Sequence, residues 1–171
     1  MDSLGYTPAN RLKIKVSTRD FTTFRDPAAI LVDQLNKIHF EAELEVIESS
    51  HWYNRLFKAD YSVALNLSGA GIDDPDGVLK MGFQCNSDGN VSRYCNAEID
   101  KLLGEQSREF DPAKRKAIVW EIERRLVADV ARPVIYHGNN ATCWHPHVKG
   151  YIQQENSIYN NSRYEEVWLD K

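Results

Sequence analysis

The chain has 171 residues, a net charge of −4 and acids and bases interspersed along its length. That length suits one domain with a sizeable core and is short for two, and the balanced charge excludes the basic footprint of a nucleic-acid binder. With 42% hydrophobic and 27% charged residues the composition is that of a globular protein, no apolar run reaches the ~20 residues that cross a bilayer, and residues 1–16 hold no apolar stretch of signal-peptide type.

Residues 12–16, Leu-Lys-Ile-Lys-Val, alternate apolar and polar and predict a half-buried strand. Asp26-Pro27 supplies a helix start, with Asp26 as N-cap and Pro27 at the first helical position. Ile30, Leu31, Leu35 and Ile38 then recur at helical spacing as far as His39. Residues 41–47 alternate again, with Ala42, Leu44 and Val46 on one face. Strand, helix and strand with short links form a βαβ unit, so these two strands should be parallel. A second helix is capped by Ser49 or Ser50 and turns Trp52, Leu56 and Phe57 inward. Residues 61–67 are apolar and uncharged, as in a central strand buried on both faces. They lead into Ser68, Gly69, Ala70, Gly71, Ile72, Asp73, Asp74, Pro75, Asp76 and Gly77. Small residues and carboxylates beyond the C-terminal end of a buried strand mark the place where open α/β sheets bind ligands.

The second half reads as more helical. Cys85 and Cys95 lie in a polar Asn/Ser/Gly-rich stretch, which predicts an exposed loop. Asn96 caps a helix to about Ser107, and Asp111-Pro112 repeats the cap-plus-proline start. Ile118, Ile122 and Leu126 form the inner stripe of a long helix whose outer face carries Lys114, Arg115, Lys116, Glu123 and Arg124. Residues 133–136 predict a short strand. The polar remainder has apolar anchors at Val148, Tyr151, Ile152, Val167, Trp168 and Leu169.

Catalytic signatures are absent: there is no Gly-x-Ser-x-Gly, phosphate loop or His-Glu-x-x-His, so neither an enzyme nor a cofactor is expected. Cys143, His145 and His147, with His137 nearby, resemble metal-ligand types at a non-standard spacing interrupted by Pro146. They support an alternative reading, a small metal- or redox-active α/β module using Cys85, Cys95, Cys143 and these histidines. The plainer reading is a surface loop with an unpaired, partly buried thiol.

The ordered series as a whole resembles the C-terminal part of the family 5 extracellular solute-binding proteins, the dipeptide-, oligopeptide- and nickel-binding group. It comprises the strand before Arg19, the Asp26-Pro27 helix, the Trp52-Tyr53 helix and the Gly-rich strand end with Asp74-Pro75-Asp76. The Cys85 and Cys95 loop, the helix from Asp111, Ala131-Arg132-Pro133-Val134-Ile135, Val148-Lys149-Gly150-Tyr151 and Val167-Trp168-Leu169-Asp170 complete it.

The resemblance implies an α/β fold of the type II periplasmic binding proteins, here one lobe over residues 1–171 with a mixed, mostly parallel sheet flanked by helices. Full-length members are much longer and close two lobes on a ligand. Residues 2–6 resemble a motif that lies well inside relatives, so an excised or truncated C-terminal lobe lacking its N-terminal partner is expected. The resemblance further implies a periplasmic setting, a small-molecule or peptide ligand, a membrane permease of an ABC importer as partner, and no catalysis. Dipeptide-binding relatives carry a cysteine pair in the region of Cys85 and Cys95, which implies a disulfide there with Cys143 unpaired. Arg19 falls where relatives hold a peptide carboxylate, a task that suits a guanidinium fork. The relatives' amine-binding aspartate and an accompanying tryptophan correspond to Gly71 and Ser68, so the amine grip is missing unless Asp73 or Asp74 replaces it. The expected ligand site is therefore Arg19 with Ser68, Gly69, Ala70, Gly71, Asp73 and Asp74, the small residues letting a ligand approach the backbone.

Overall fold

The alternation at residues 12–16 is the first half of a longer strand. The computed structural model describes residues 1–69, 74–138, 141–152 and 164–170, and they divide into two compact units, Met1–Ser68 and Gly69–Lys171.

In the first unit, β1 (Leu12–Arg19), α1 (Thr22–Asn36) and β2 (Phe40–Ile47) form the expected βαβ crossover, with Val16 beside Leu44 in a parallel ladder. β3 (Val63–Ala64) pairs in parallel with the other side of β1, giving the order β2-β1-β3. Val16, Ala28 and Leu65 form the core under α1, with Leu31, Val32, Leu35 and Val63 packed against them. Full burial of such side chains contributes about 1.5–3 kcal/mol each. α2 (Ser49–Phe57) follows β2 and buries Trp52 and Leu56.

Three expectations are corrected here. Asp26 does not cap α1. The helix starts at Thr22, because the Phe24 and Arg25 N–H groups already bond back to the Phe21 carbonyl, and Pro27 lies inside it. The cap of α2 is Glu48, whose carboxylate accepts from the Ser50 N–H at 3.2 Å, rather than either serine. Residues 61–67 do not form a central strand. Only Val63–Ala64 is strand, extended by the bond from the Leu65 N–H to the Ser17 carbonyl, and β1 occupies the centre.

β2 is an edge, and it is shielded. The Asn36 side chain accepts from the Ala42 N–H at 2.8 Å and donates to the Ala42 carbonyl at 3.2 Å. Arg11 donates to the carbonyls of Phe40 and Asn36. Glu41, Glu43 and Glu45 add charge along the strand. These are devices that discourage edge-to-edge pairing.

In the second unit, α3 (Pro75–Phe83), α4 (Ala97–Gln106) and α5 (Pro112–Ala128) share a core of Leu79, Ile99, Leu103, Ile122 and Leu126. Asn96 and Asp111 cap α4 and α5 as their sequence predicts. α3 is legible in the sequence only as a turn, because Asp74-Pro75-Asp76-Gly77 is also good turn chemistry. Asp74 is its N-cap. Cys85 and Cys95 form a disulfide, and Cys143 is free and exposed rather than partly buried. Inside the disulfide loop the buried Asn90 amide donates to the carbonyls of Gln84 and Tyr94. Residues 133–136 are not a strand but an irregular, exposed segment, since no other described strand pairs with them. Farther along, β4 (Val148–Lys149) and β5 (Trp168–Leu169) pair antiparallel. The class expected from the sequence, α/β with a mostly parallel sheet flanked by helices, is the observed one.

Candidate functional site

Arg19 ends β1, and aromatic side chains from the two helices of the first unit and their approaches wrap around it. Its guanidinium carbon lies 5.2 Å from the Phe21 ring centre, 5.1 Å from that of Phe24 and 5.3 Å from that of Tyr53. Phe21 and Phe24 come from the turn into α1, and Tyr53 from α2. The rings themselves pack edge to face and in a stack, Phe21 on Phe24 and Tyr53 on Phe57. Each cation–ring contact contributes about 0.5–1 kcal/mol at a half-exposed position. Nη1 reaches the Tyr53 hydroxyl at a long 3.4 Å. Nε is buried without a hydrogen-bond partner among the described residues, and so is Oγ1 of the neighbouring Thr18. An unmade hydrogen bond on a buried group costs about 1–3 kcal/mol. The cage therefore fixes a guanidinium whose donors are largely unspent.

Ser68 and Gly69 are exposed beyond the C-terminal end of β3, and Arg19 ends the adjacent parallel strand. Ala70, Gly71 and Asp73 lie outside the described residues. Asp74 belongs to the second unit, where its carboxylate is already engaged. One oxygen accepts from the Asp76 N–H at 2.8 Å, and the pair receives both Nη atoms of Arg115 at 2.8 Å. The Arg115 guanidinium, together with the Asp76 N–H, holds the Asp74 carboxyl below its usual range. Arg115 donates further to buried Gln106, which also donates to Asp76. Asp74 thus serves as a cap and strut of the helical unit.

The polar face of the small sheet carries a second cluster. Ser17 donates to Glu45 at 2.7 Å, and Arg55 meets Glu45 at 3.1 Å and Asp60 at 3.2 Å. They line an open depression of about 400 Å³ with Lys15, Tyr61 and Ser62. The Ser17 hydroxyl first, and Arg55 after it, lower the Glu45 pKa. These charges answer one another, which makes the cluster a brace between β1, β2 and α2.

His145 and His147 stack with ring centres 5.3 Å apart. Among the described residues no group of three or more His, Cys, Asp or Glu is placed to hold a metal ion, and no helix is long and apolar enough to cross a membrane. Of the features around Arg19, the aromatic cage is the one that sequence reasoning misses. Its signal is present in Phe21 and Phe24, two and five residues after the arginine.

A βαβ crossover in a mostly parallel sheet flanked by helices is the fold expected of a type II periplasmic binding-protein lobe. Comparisons with known proteins agree with that class. The chain is 25% identical over 131 residues, 74% of its length, to the probable D,D-dipeptide-binding periplasmic protein DdpA of Escherichia coli (strain K12), of which it spans about a quarter, 25%. Among solved structures, the OppA protein of Haemophilus influenzae in complex with RPPGFSPFR matches with a TM-score of 0.81 and 22% identity, covering 99% of this chain and 33% of that one. The ABC transporter-associated periplasmic binding protein DppA of Helicobacter pylori, in complex with the peptide STSA, matches with a TM-score of 0.73 and 24% identity over 95% of this chain and 32% of that one. No family model matches the chain. The resemblance to the family 5 extracellular solute-binding proteins thus holds in sequence and in fold.

Proposed function

We propose that this chain is the C-terminal lobe of a solute-binding component of an ABC importer, one that captures peptides or similar small ligands outside the cytoplasm and passes them to a membrane permease. On this reading it binds and does not catalyse, and a second lobe, N-terminal in the relatives, completes the cleft. The single observation that carries the proposal is Arg19, braced by three rings at the C-terminal end of β1, with one long hydrogen bond to Tyr53 among the described residues. A planar guanidinium whose faces are occupied recognises an acceptor through its edge, which suits a carboxylate.

Ser68, Gly69, Ala70 and Gly71 form the adjoining wall in this proposal, with Asp73 as the available carboxylate. Asp74, the N-cap of α3, is already held by Arg115 and is left out of the ligand contacts in this proposal. With Gly71 in place of an acidic residue, a ligand's α-amine is not the dominant handle.

A lone lobe leaves a ligand half in water, so the 171-residue chain binds with millimolar rather than sub-micromolar affinity. The test is therefore NMR titration of the chain with di- and tripeptides. The Arg19 side-chain resonances should shift with a free-carboxylate peptide and stay put with its C-terminal amide. The ring resonances of Phe21, Phe24 and Tyr53, which lie against the guanidinium, should shift with the same peptide, and Arg19→Lys should abolish that shift. Equal shifts with both peptides, or none at Arg19, would overturn the assignment.

A further inference from the structure

We propose that Tyr53 is the positioning residue of the Arg19 site: its hydroxyl holds Nη1 and turns the guanidinium so that a ligand carboxylate is met end-on, by the two Nη groups. Arg19 as the carboxylate anchor is the reading on which this rests, and Tyr53 adds to it the direction of approach.

A guanidinium is a rigid planar fork. It can grip a carboxylate side-on, through Nε and one Nη, or end-on, through both Nη atoms. In Arg19 the side-on edge is closed, because Nε is buried. A second lobe can only deepen that burial. The end-on edge is the one left to meet a ligand.

Tyr53 sets where that edge points. Its ring centre lies 5.3 Å from the guanidinium carbon, and its hydroxyl accepts from Nη1 at 3.4 Å. Phe21 and Phe24 lie equally close but offer no hydrogen-bonding atom. A cation–ring contact attracts the charge with little regard to its rotation in the plane, whereas a hydrogen bond is directional. Among the three rings, only the tyrosine specifies the direction of Nη1. Nη1 carries two N–H groups, so one held by Tyr53 leaves the other for the ligand.

Tyr53 is itself held in place. Its ring stacks on Phe57, one turn farther along α2, with centres 6.1 Å apart and planes at 26°. The preceding residue, Trp52, is buried, and its indole N–H donates to Asn66 at 3.4 Å. The register of α2 that sends Trp52 into the core thereby brings Tyr53 to the end of β1.

Tyr53→Phe keeps the ring and removes the hydroxyl, and NMR of the 171-residue chain reads the consequence. Without ligand, the two Nη nitrogens of Arg19 should give separate signals in the parent and merge in Tyr53→Phe. An unmoved Trp52 indole N–H signal will show that α2 keeps its register. On titration with alanyl-alanine, affinity should fall about fivefold in the variant, the scale of one modest hydrogen bond. Alanyl-alanine amide should leave Arg19 unmoved in both. Nη signals that stay separate in Tyr53→Phe, or equal affinity of parent and variant for alanyl-alanine, would overturn the role of Tyr53 and leave the anchor standing. A parent chain whose Arg19 ignores the free carboxylate would overturn the anchor and this proposal together.

Discussion

Asn36 holds both backbone groups of Ala42, accepting from its N–H at 2.8 Å and donating to its carbonyl at 3.2 Å. A side chain at the end of α1 thus takes the place of a neighbouring strand on the outer side of β2. Asn36→Ala should lower stability by about 1–3 kcal/mol, from two lost hydrogen bonds whose Ala42 partners are part-buried. Because the edge is then bare, the variant should also aggregate sooner on heating. Chemical denaturation and light scattering read the two effects separately. Unchanged stability would mean that water replaces the amide without loss.

Asp74 and Arg115 offer a pH test. The folded-state pKa of Asp74 lies below its ordinary value because Arg115, and then the Asp76 N–H, favour the carboxylate. The stabilisation is therefore full above about pH 4 and disappears as pH falls through the folded value. Asp74→Asn keeps a capping side chain and removes the charge. Since both partners are about a third exposed, the loss at neutral pH should be about 1 kcal/mol, and the gap to the parent should close at low pH. Asp74→Ala also removes the cap and should cost roughly 2 kcal/mol. A gap that persists at low pH would assign the effect to packing rather than charge.

The disulfide between Cys85 and Cys95, ten residues apart, should contribute about 2–3 kcal/mol in the chain-entropy account. Thiol titration of the folded, oxidised chain should find one reactive group, Cys143, and three after reduction and unfolding. A Cys85→Ala, Cys95→Ala double variant should lose stability in the second unit chiefly, where Asn90 depends on the loop to bring Gln84 and Tyr94 within reach. Protection of the Val16 amide in the first unit, which faces β2, should be unaffected.

Ile122 is fully buried between α4 and α5. Ile122→Ala should destabilise by about 2–5 kcal/mol, and Ile122→Val by about 0.5–1.5. Two near-neutral results would mean that this core collapses around the cavity.

Local signals are readable in this sequence, whereas choices between competing signals are not. Asn96 and Asp111 each precede an amphipathic run with nothing nearby to rival them, and both are caps. Asp26-Pro27 looks the same, but Phe21 five residues earlier closes the first turn through its backbone, and nothing in periodicity ranks the two. Residues 75–83 contain two glycines and a turn-forming start, so α3 is hidden behind propensity that the burial of Leu79 in the core shared with α4 and α5 overrides. The position of Arg19 can be read. Its setting cannot, since Tyr53 arrives from an element more than thirty residues away. Asp74 can be read as a carboxylate at a strand exit, but its pairing with Arg115 depends on a helix face that the sequence presents only as a solvated surface.

The β1-α1-β2 crossover also bears on how the chain acquires its structure. Among the described residues, every ladder of the first sheet lies within residues 12–64 and its core within residues 16–65, all inside the first compact unit. Contacts between neighbouring segments close small loops, and small loops close quickly. A chain that emerges N-terminus first can therefore complete this sheet while the helices from Pro75 onward are still unmade, so synthesis halted near residue 69 should already yield a protease-resistant core.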